Sequence, residues 1–142
     1  MKLRKIIRYL EVIDRQLEIL YINFSKRFRD QHLFSIFWRE LSLEKSNLYS
    51  CLSLIEQVGE ENLVISEYKE EEFICVMEKL TRYIKGSLEK DFSMEDCMDM
   101  AVEIETEHYV RIFNHLSHLV EGDFQQVIKE MNNHKANRNH LR

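Results

Sequence analysis

The chain has no proline among its 142 residues and only three glycines, Gly59, Gly86 and Gly122. Because these residues are the strongest interruptions of helices, their scarcity predicts long helices. The sequence is 44% hydrophobic and 32% charged, a balance that suits one globular domain with a sizeable core. We therefore expect a single all-α domain that covers residues 1–142.

Cysteine is also scarce, and its spacing excludes several classes of site. Cys51, Cys75 and Cys97 are an odd number and form no Cys-x-x-Cys pair, which argues against a disulfide framework, a zinc ribbon or a rubredoxin-type centre. The sequence also lacks a run of about 18 apolar residues, so we expect no membrane-spanning helix and a cytoplasmic protein.

Positive charge is limited as well. The formal net charge is -5, and the one basic cluster is short, formed by Lys2, Arg4, Lys5 and Arg8 at the start of the chain. Nucleic-acid binding normally requires a larger basic surface. We therefore expect no nucleic-acid partner.

Apolar residues recur every three or four positions, which predicts four long amphipathic helices. Asp30, Ser93 and Asp123 are plausible N-caps, and Gly59 and Gly122 are plausible helix ends. The predicted helices span about 3–29, 30–59, 93–122 and 123–137. The link between the second and third contains a short extra helix, Glu70 to about Lys85, which Gly86 closes. Such a link can cross the length of a bundle and permit a parallel neighbour.

One acid lies in the middle of the apolar face of each long helix. In the first helix it is Asp14, with Glu11 and Glu18 as alternatives if the phase differs by a residue. In the second helix it is Glu44, on a stripe with Phe34 and Phe37. The complete set is Asp14, Glu44, Glu105 and Glu130.

A buried carboxylate costs several kcal/mol unless it is paired, protonated or bound to metal. A single such acid is readily explained as a salt-bridged or surface residue. Four acids at one level repel strongly, and a pair of divalent cations is one known solution. The four positions therefore make a candidate dinuclear metal site in a helical bundle.

The spacing of these acids carries a resemblance to a known family. Asp14 is followed about thirty residues later by Glu44-Lys45-Ser46-Asn47, and Glu105 is followed by Glu130-Met131-Asn132-Asn133. This repeat, with the strings FWRELSLEKSNL and SMEDCMDMAVEIETE, resembles the rubrerythrin branch of the ferritin-like superfamily. The resemblance implies a ferritin-like four-helix bundle with a long crossover, binding two iron or manganese ions.

The chain departs from the family pattern at the nitrogen ligands. Asn47 and Asn133 stand where Glu-x-x-His has histidine, and asparagine offers only a weak carbonyl ligand. His108, three residues after Glu105, and His134, four after Glu130, could complete the ligand set. A lone histidine near an apolar face is, however, more often an ordinary hydrogen-bonded core or surface residue than a ligand.

Two functions follow from this resemblance. An intact site implies reaction with peroxide or oxygen, with electrons from a separate donor because rubredoxin-type cysteines are missing. The alternative is a metal-free scaffold, structural or partner-binding, whose acids hydrogen-bond to neighbours such as Tyr21 or are protonated.

Aromatic residues in the first two helices exceed what one core needs. They are Phe24, Phe28, Phe34, Phe37 and Trp38. We therefore expect a homodimer.

Overall fold

The computed structural model describes residues 1–58, 64–106, 112 and 133. This part of the chain contains four helices and no strand beyond an isolated bridge between Lys2 and Val64. The helices are α1 (Leu3–Arg27), α2 (His32–Val58), α3 (Glu70–Glu89) and α4 (Met94–Ile104). The predicted all-α class is confirmed. The predicted fourth long helix and most of the second half of the third lie outside the described residues.

Helix α1 is the centre of the fold, because its apolar face packs against both α2 and α3. The face predicted from the sequence is confirmed, and Asp14 is fully buried within it. The buried residues of this helix are Leu3, Ile6, Ile7, Leu10, Ile13, Asp14, Leu17, Leu20, Tyr21 and Phe24.

Helix α2 runs antiparallel to α1. Near the connection, Ser25 Oγ donates to the carbonyl of Ser35 at 2.8 Å, and at the other end Arg8 Nε bonds to Glu56 Oε1 at 3.1 Å. Asp30 was predicted to be the N-cap of α2, but it lies within a turn formed by residues 28–31, and the helix begins at His32.

The predicted inward face is wrong in the first half of α2. Phe34 and Phe37 are 38% and 39% exposed and Glu44 is exposed, whereas Trp38 and Lys45 are buried. The observed face is displaced by one residue, about 100° around the helix. Burying the indole of Trp38 removes more apolar surface from water than burying either phenylalanine, which explains this phase.

Helix α3 runs parallel to α1 and is longer than predicted. The side-chain amide of Gln16 donates to Thr81 Oγ1 at 3.1 Å, and that of Asn23 donates to Ser87 Oγ at 3.0 Å. These contacts advance in the same direction along both helices. Among the described helices, none is long and apolar enough to cross a membrane.

The sequence predicted that Gly86 ends α3, but this glycine lies inside the helix. A Cβ atom there would be 3.1 Å from the ring of Phe92. The glycine is therefore explained by the close approach of this ring rather than by a helix end, and α3 continues to Glu89.

Helix α4 begins as predicted at Ser93, whose hydroxyl accepts from the Asp96 amide at 3.1 Å. The Asp96 carboxylate in turn accepts from the Ser93 amide at 3.0 Å, completing a capping box. The start of α4 contacts Trp38 in α2, and its end reaches Lys45, so α4 runs parallel to α2.

Candidate functional site

The candidate site is a buried polar layer where α1, α2 and the end of α4 meet. Its centre is an ion pair between Lys45 and Glu105, with the lysine Nζ 2.5 Å from Oε1 and 2.7 Å from Oε2 of the glutamate. The Lys45 side chain is only 2% exposed, whereas that of Glu105 is 25% exposed. An ammonium ion therefore neutralises the carboxylate inside the bundle.

Tyr21 is the second partner of this carboxylate. Its hydroxyl donates to Glu105 Oε1 at 3.0 Å. Burial, followed by the charge and hydrogen bond of Glu105 and the charges of Glu44 and Asp14, raises the pKa of Tyr21 far above its usual value. The phenol therefore stays protonated and acts as a hydrogen-bond donor. Three of the predicted acids are close enough to act on this hydroxyl.

Aromatic side chains close one side of the layer. The ring of Trp38 lies with its centroid 5.5 Å from that of Tyr21 and 4.9 Å from that of Phe24. The indole N–H of Trp38 also donates to the sulfur of Met94 at 3.2 Å. These contacts pack Tyr21, the hydrogen-bond donor to Glu105, against apolar side chains.

The predicted ligands have different positions in the structure. Asp14 is fully buried, as predicted, and Glu105 belongs to the ion pair. Glu44 and Asn47 are exposed, so the predicted burial of Glu44 is wrong. Its place on the inner face belongs to Lys45.

The remaining predicted ligands, Glu130, His108 and His134, lie outside the described residues. Asn133 is described and is exposed. Within 1–58, 64–106 and the two further described positions, no group of three or more histidine, cysteine, aspartate or glutamate side chains could hold a metal ion.

Lys45 is the functional residue that the sequence reasoning missed. A signal was available, because Trp38, Lys45 and Leu52 are spaced by seven residues and all three are buried. A stripe drawn through the largest apolar residue of α2 would have placed Lys45 on the inner face. Its partner Glu105 was predicted on the inner face of the third long helix, but local spacing does not show that two residues sixty positions apart form a pair.

No protein family model matches this chain, and neither does any curated protein or solved structure with which it was compared.

Proposed function

We propose that this chain is a ferritin-like helical scaffold without a metal centre, which acts as a structural or partner-binding module. The proposal rests on contacts between the chain's own side chains. The observation that carries the proposal is the buried contact of Lys45 with both oxygens of Glu105. In this proposal, the lysine supplies the positive charge that metal ions supply in related bundles.

Electrostatic repulsion from Lys45 disfavours a metal ion bound to Glu105. A divalent ion bound to Glu105 would lie close to the ammonium of Lys45. At a separation of about 4 Å, charges of one and two repel by roughly 8 kcal/mol at an effective dielectric constant of 20. The described residues therefore fit a lysine–carboxylate network better than two iron or manganese ions.

The helix directions support the ferritin-like part of the proposal. Helix α2 is antiparallel to α1, and α4 is parallel to α2, with α3 returning along α1 between them. This order is the one expected when a long crossover separates two helix pairs. The inward acids Asp14 and Glu105 lie on the first and third of the predicted long helices.

The partner-binding part rests on an apolar surface at the start of α2, which we call the α2 patch: Leu33, Phe34 and Phe37. Leu33 is 80% exposed. Contacts with Phe28 and Trp38 hold the two phenylalanine rings at the surface. We propose that a second copy of the chain covers this patch, because rigid exposed aromatic groups are typical of protein interfaces.

The dimer is tested by sedimentation of the full chain and of a Leu33→Glu variant at micromolar concentration. We expect a dimer that the substitution dissociates. Leu43→Glu is the matched control, since Leu43 is a 59% exposed leucine on another face of the same helix. A monomeric wild-type protein would contradict this part of the proposal.

Metal content tests the scaffold proposal. The full chain would be expressed with iron and manganese in the medium, purified and subjected to elemental analysis beside a Glu44→Ala, Glu130→Ala double variant. We expect well below one ion per chain in both proteins. About two ions per chain in the wild type, and none in the double variant, would overturn the proposal.

A dinuclear iron or manganese site that reacts with peroxide or oxygen is the second candidate. The observation in its favour is that the charges of Glu105, Glu44 and Asp14 all raise the pKa of Tyr21, so each of these acids lies within electrostatic reach of its hydroxyl. Bound metal ions would supply the redox chemistry, and a separate protein would supply electrons. If the elemental analysis finds metal, peroxide consumption by the loaded protein becomes the next assay.

A further inference from the structure

Helix α1 has an outward-facing row of alternating arginine and apolar side chains, which we call the arginine row: Arg8, Val12, Arg15 and Ile19. Their separations of four, three and four residues place them on one face of the helix. Together with Tyr49 and Glu56 of α2, the row lines an open groove of about 570 Å³. Val12 and Ile19 are exposed there, so the groove offers uncovered apolar surface.

The arginines give the mouth of this groove a positive charge. Arg8 Nε lies 3.1 Å from Glu56 Oε1, and the Arg15 guanidinium lies 2.9 Å from Glu18 and 3.8 Å from the ring centroid of Tyr49. Both arginine side chains are exposed, whereas the two glutamate side chains beneath them are mostly buried. A guanidinium has five N–H donors, so each arginine keeps donors for a further acid.

Helix α3 has a complementary row, which we call the glutamate row: Glu71, Ile74, Cys75 and Glu78. All four residues are exposed. The row points away from α1, because the opposite face of α3 is buried in the core. Within the described part of the chain, neither Glu71 nor Glu78 forms an ion pair. The row therefore offers two acids on either side of an apolar centre.

The two rows match in spacing as well as in charge. The first three members of the arginine row are separated by four and then by three residues. The glutamate row has the same separations when it is read backwards, from Glu78 through Ile74 to Glu71. At a rise of about 1.5 Å per residue, two antiparallel helices can therefore bring all three pairs together at once. The pairs would be Arg8 with Glu78, Val12 with Ile74 and Arg15 with Glu71.

We propose that α3 of a second copy of this chain docks antiparallel in the groove, with its glutamate row against the arginine row. Two ion pairs then flank an apolar contact, a pattern that gives a helix in a groove both its register and its orientation. The contact joins unlike surfaces of the two copies and shares no residue with the α2 patch. It goes beyond the proposed dimer and does not depend on it.

A thiol-specific cross-linker tests the contact on the full chain, because Cys75 is exposed whereas Cys51 and Cys97 are buried. A Val12→Cys, Cys75→Ser variant would be mixed with the wild type at micromolar concentration and treated with a short bismaleimide. We expect covalent dimers in the mixture and far fewer with either protein alone. Only the mixture brings a thiol at position 12 of one copy to Cys75 of another.

Val102→Cys, Cys75→Ser is the matched control, because Val102 is 51% exposed, close to the 48% of Val12, but lies on α4. It should give few dimers with the wild type. Leu33→Glu, placed in both partners, should leave the Val12→Cys cross-link unchanged. Failure of the α2 patch is thereby distinguished from failure of this contact.

Charge reversal in the partner that supplies Cys75 gives a second test. Glu71→Lys, Glu78→Lys should lower the cross-linking yield about tenfold, because two ion pairs become repulsive contacts. Glu89→Lys, Asp99→Lys makes the same change of charge at two other exposed acids and should leave the yield unchanged. Circular dichroism checks that the helices of both variants are intact.

A mixture without cross-linked dimers would overturn the proposal, and so would equal yields from positions 12 and 102. An arginine row that binds an anionic membrane instead would leave the mixture uncross-linked and make the protein sediment with phosphatidylserine vesicles. That result would also overturn the proposal.

Discussion

The two acid clusters between α1 and its neighbours are neutralised in different ways. In the buried layer, the ammonium of Lys45 is held 2.5 Å from Glu105. At the other end of the interface, burial raises the pKa of Glu11 to about 7, and only Glu56 is paired with arginines. The lysine neutralises its acid by direct contact, whereas the raised pKa of Glu11 makes the charge of the other cluster depend on pH near neutrality.

The largest expected effect follows from removing the lysine. Lys45→Met keeps most of the volume of the side chain but leaves Glu105 without its cation. Truncating one partner of a buried ion pair costs about 3 kcal/mol, so urea denaturation should show a lower free energy of unfolding by about that amount.

Lys79→Met is the control for this prediction. Lys79 contacts Glu103 at 2.6 Å on the same helix as the cluster, but both side chains are partly exposed, so its loss should cost less than about 1 kcal/mol. Equal losses in the two variants would mean that burial does not distinguish the Lys45 pair.

A smaller effect is expected for Tyr21→Phe, which removes only the hydrogen bond to Glu105. The free energy of unfolding should fall by about 1 to 2 kcal/mol, because the acceptor is charged and the site is buried. Tyr83→Phe removes a 2.5 Å bond to Glu103 at a more exposed position, and urea denaturation should show a smaller loss there. A larger loss in Tyr83→Phe than in Tyr21→Phe would contradict the central position of Tyr21 in the buried polar layer.

The smallest effect is the pH dependence that comes from the raised pKa of Glu11. Because the pKa of Glu11 is raised in the folded state, the folded chain binds more protons than the unfolded chain between about pH 4.5 and 7. Its contribution to stability is present at low pH and is lost as the pH rises through 7. Thermal melting from pH 5 to 8 should show this decline in the wild type and a weaker one in Glu11→Gln. Equal declines in the wild type and in Glu11→Gln would show that Glu11 is not the source of the pH dependence.

The sequence predicted α1 well because its apolar residues follow one helical stripe from Leu3 to Phe24 and its other faces are mostly polar. The first half of α2 has apolar side chains on several faces, including Leu33, Phe37 and Leu43, so periodicity does not define its phase. Packing of Trp38 against Tyr21 and Phe24 of α1 decides the phase, and the seven-residue spacing of Trp38, Lys45 and Leu52 is the only local signal of it that we identify.

The candidate site was predicted in part for the same reason. Asp14 was placed correctly because the apolar residues of α1 follow one stripe, although the phase had left Glu11 and Glu18 as alternatives. Lys45 was missed because its burial depends on the phase of α2 and on a partner sixty residues away. The end of α3 was misplaced because Gly86 was read as a helix end, whereas the nearby ring of Phe92 explains it.

The most direct test of the central claim is a comparison of the melting temperatures of the wild type and Lys45→Gln, each with a chelator and with added manganese. If Lys45 replaces metal, the wild type should melt at the same temperature in both conditions, and manganese should raise the melting temperature of the variant by binding the unpaired carboxylates. A wild type stabilised by manganese, with a variant that gains nothing, would contradict the account.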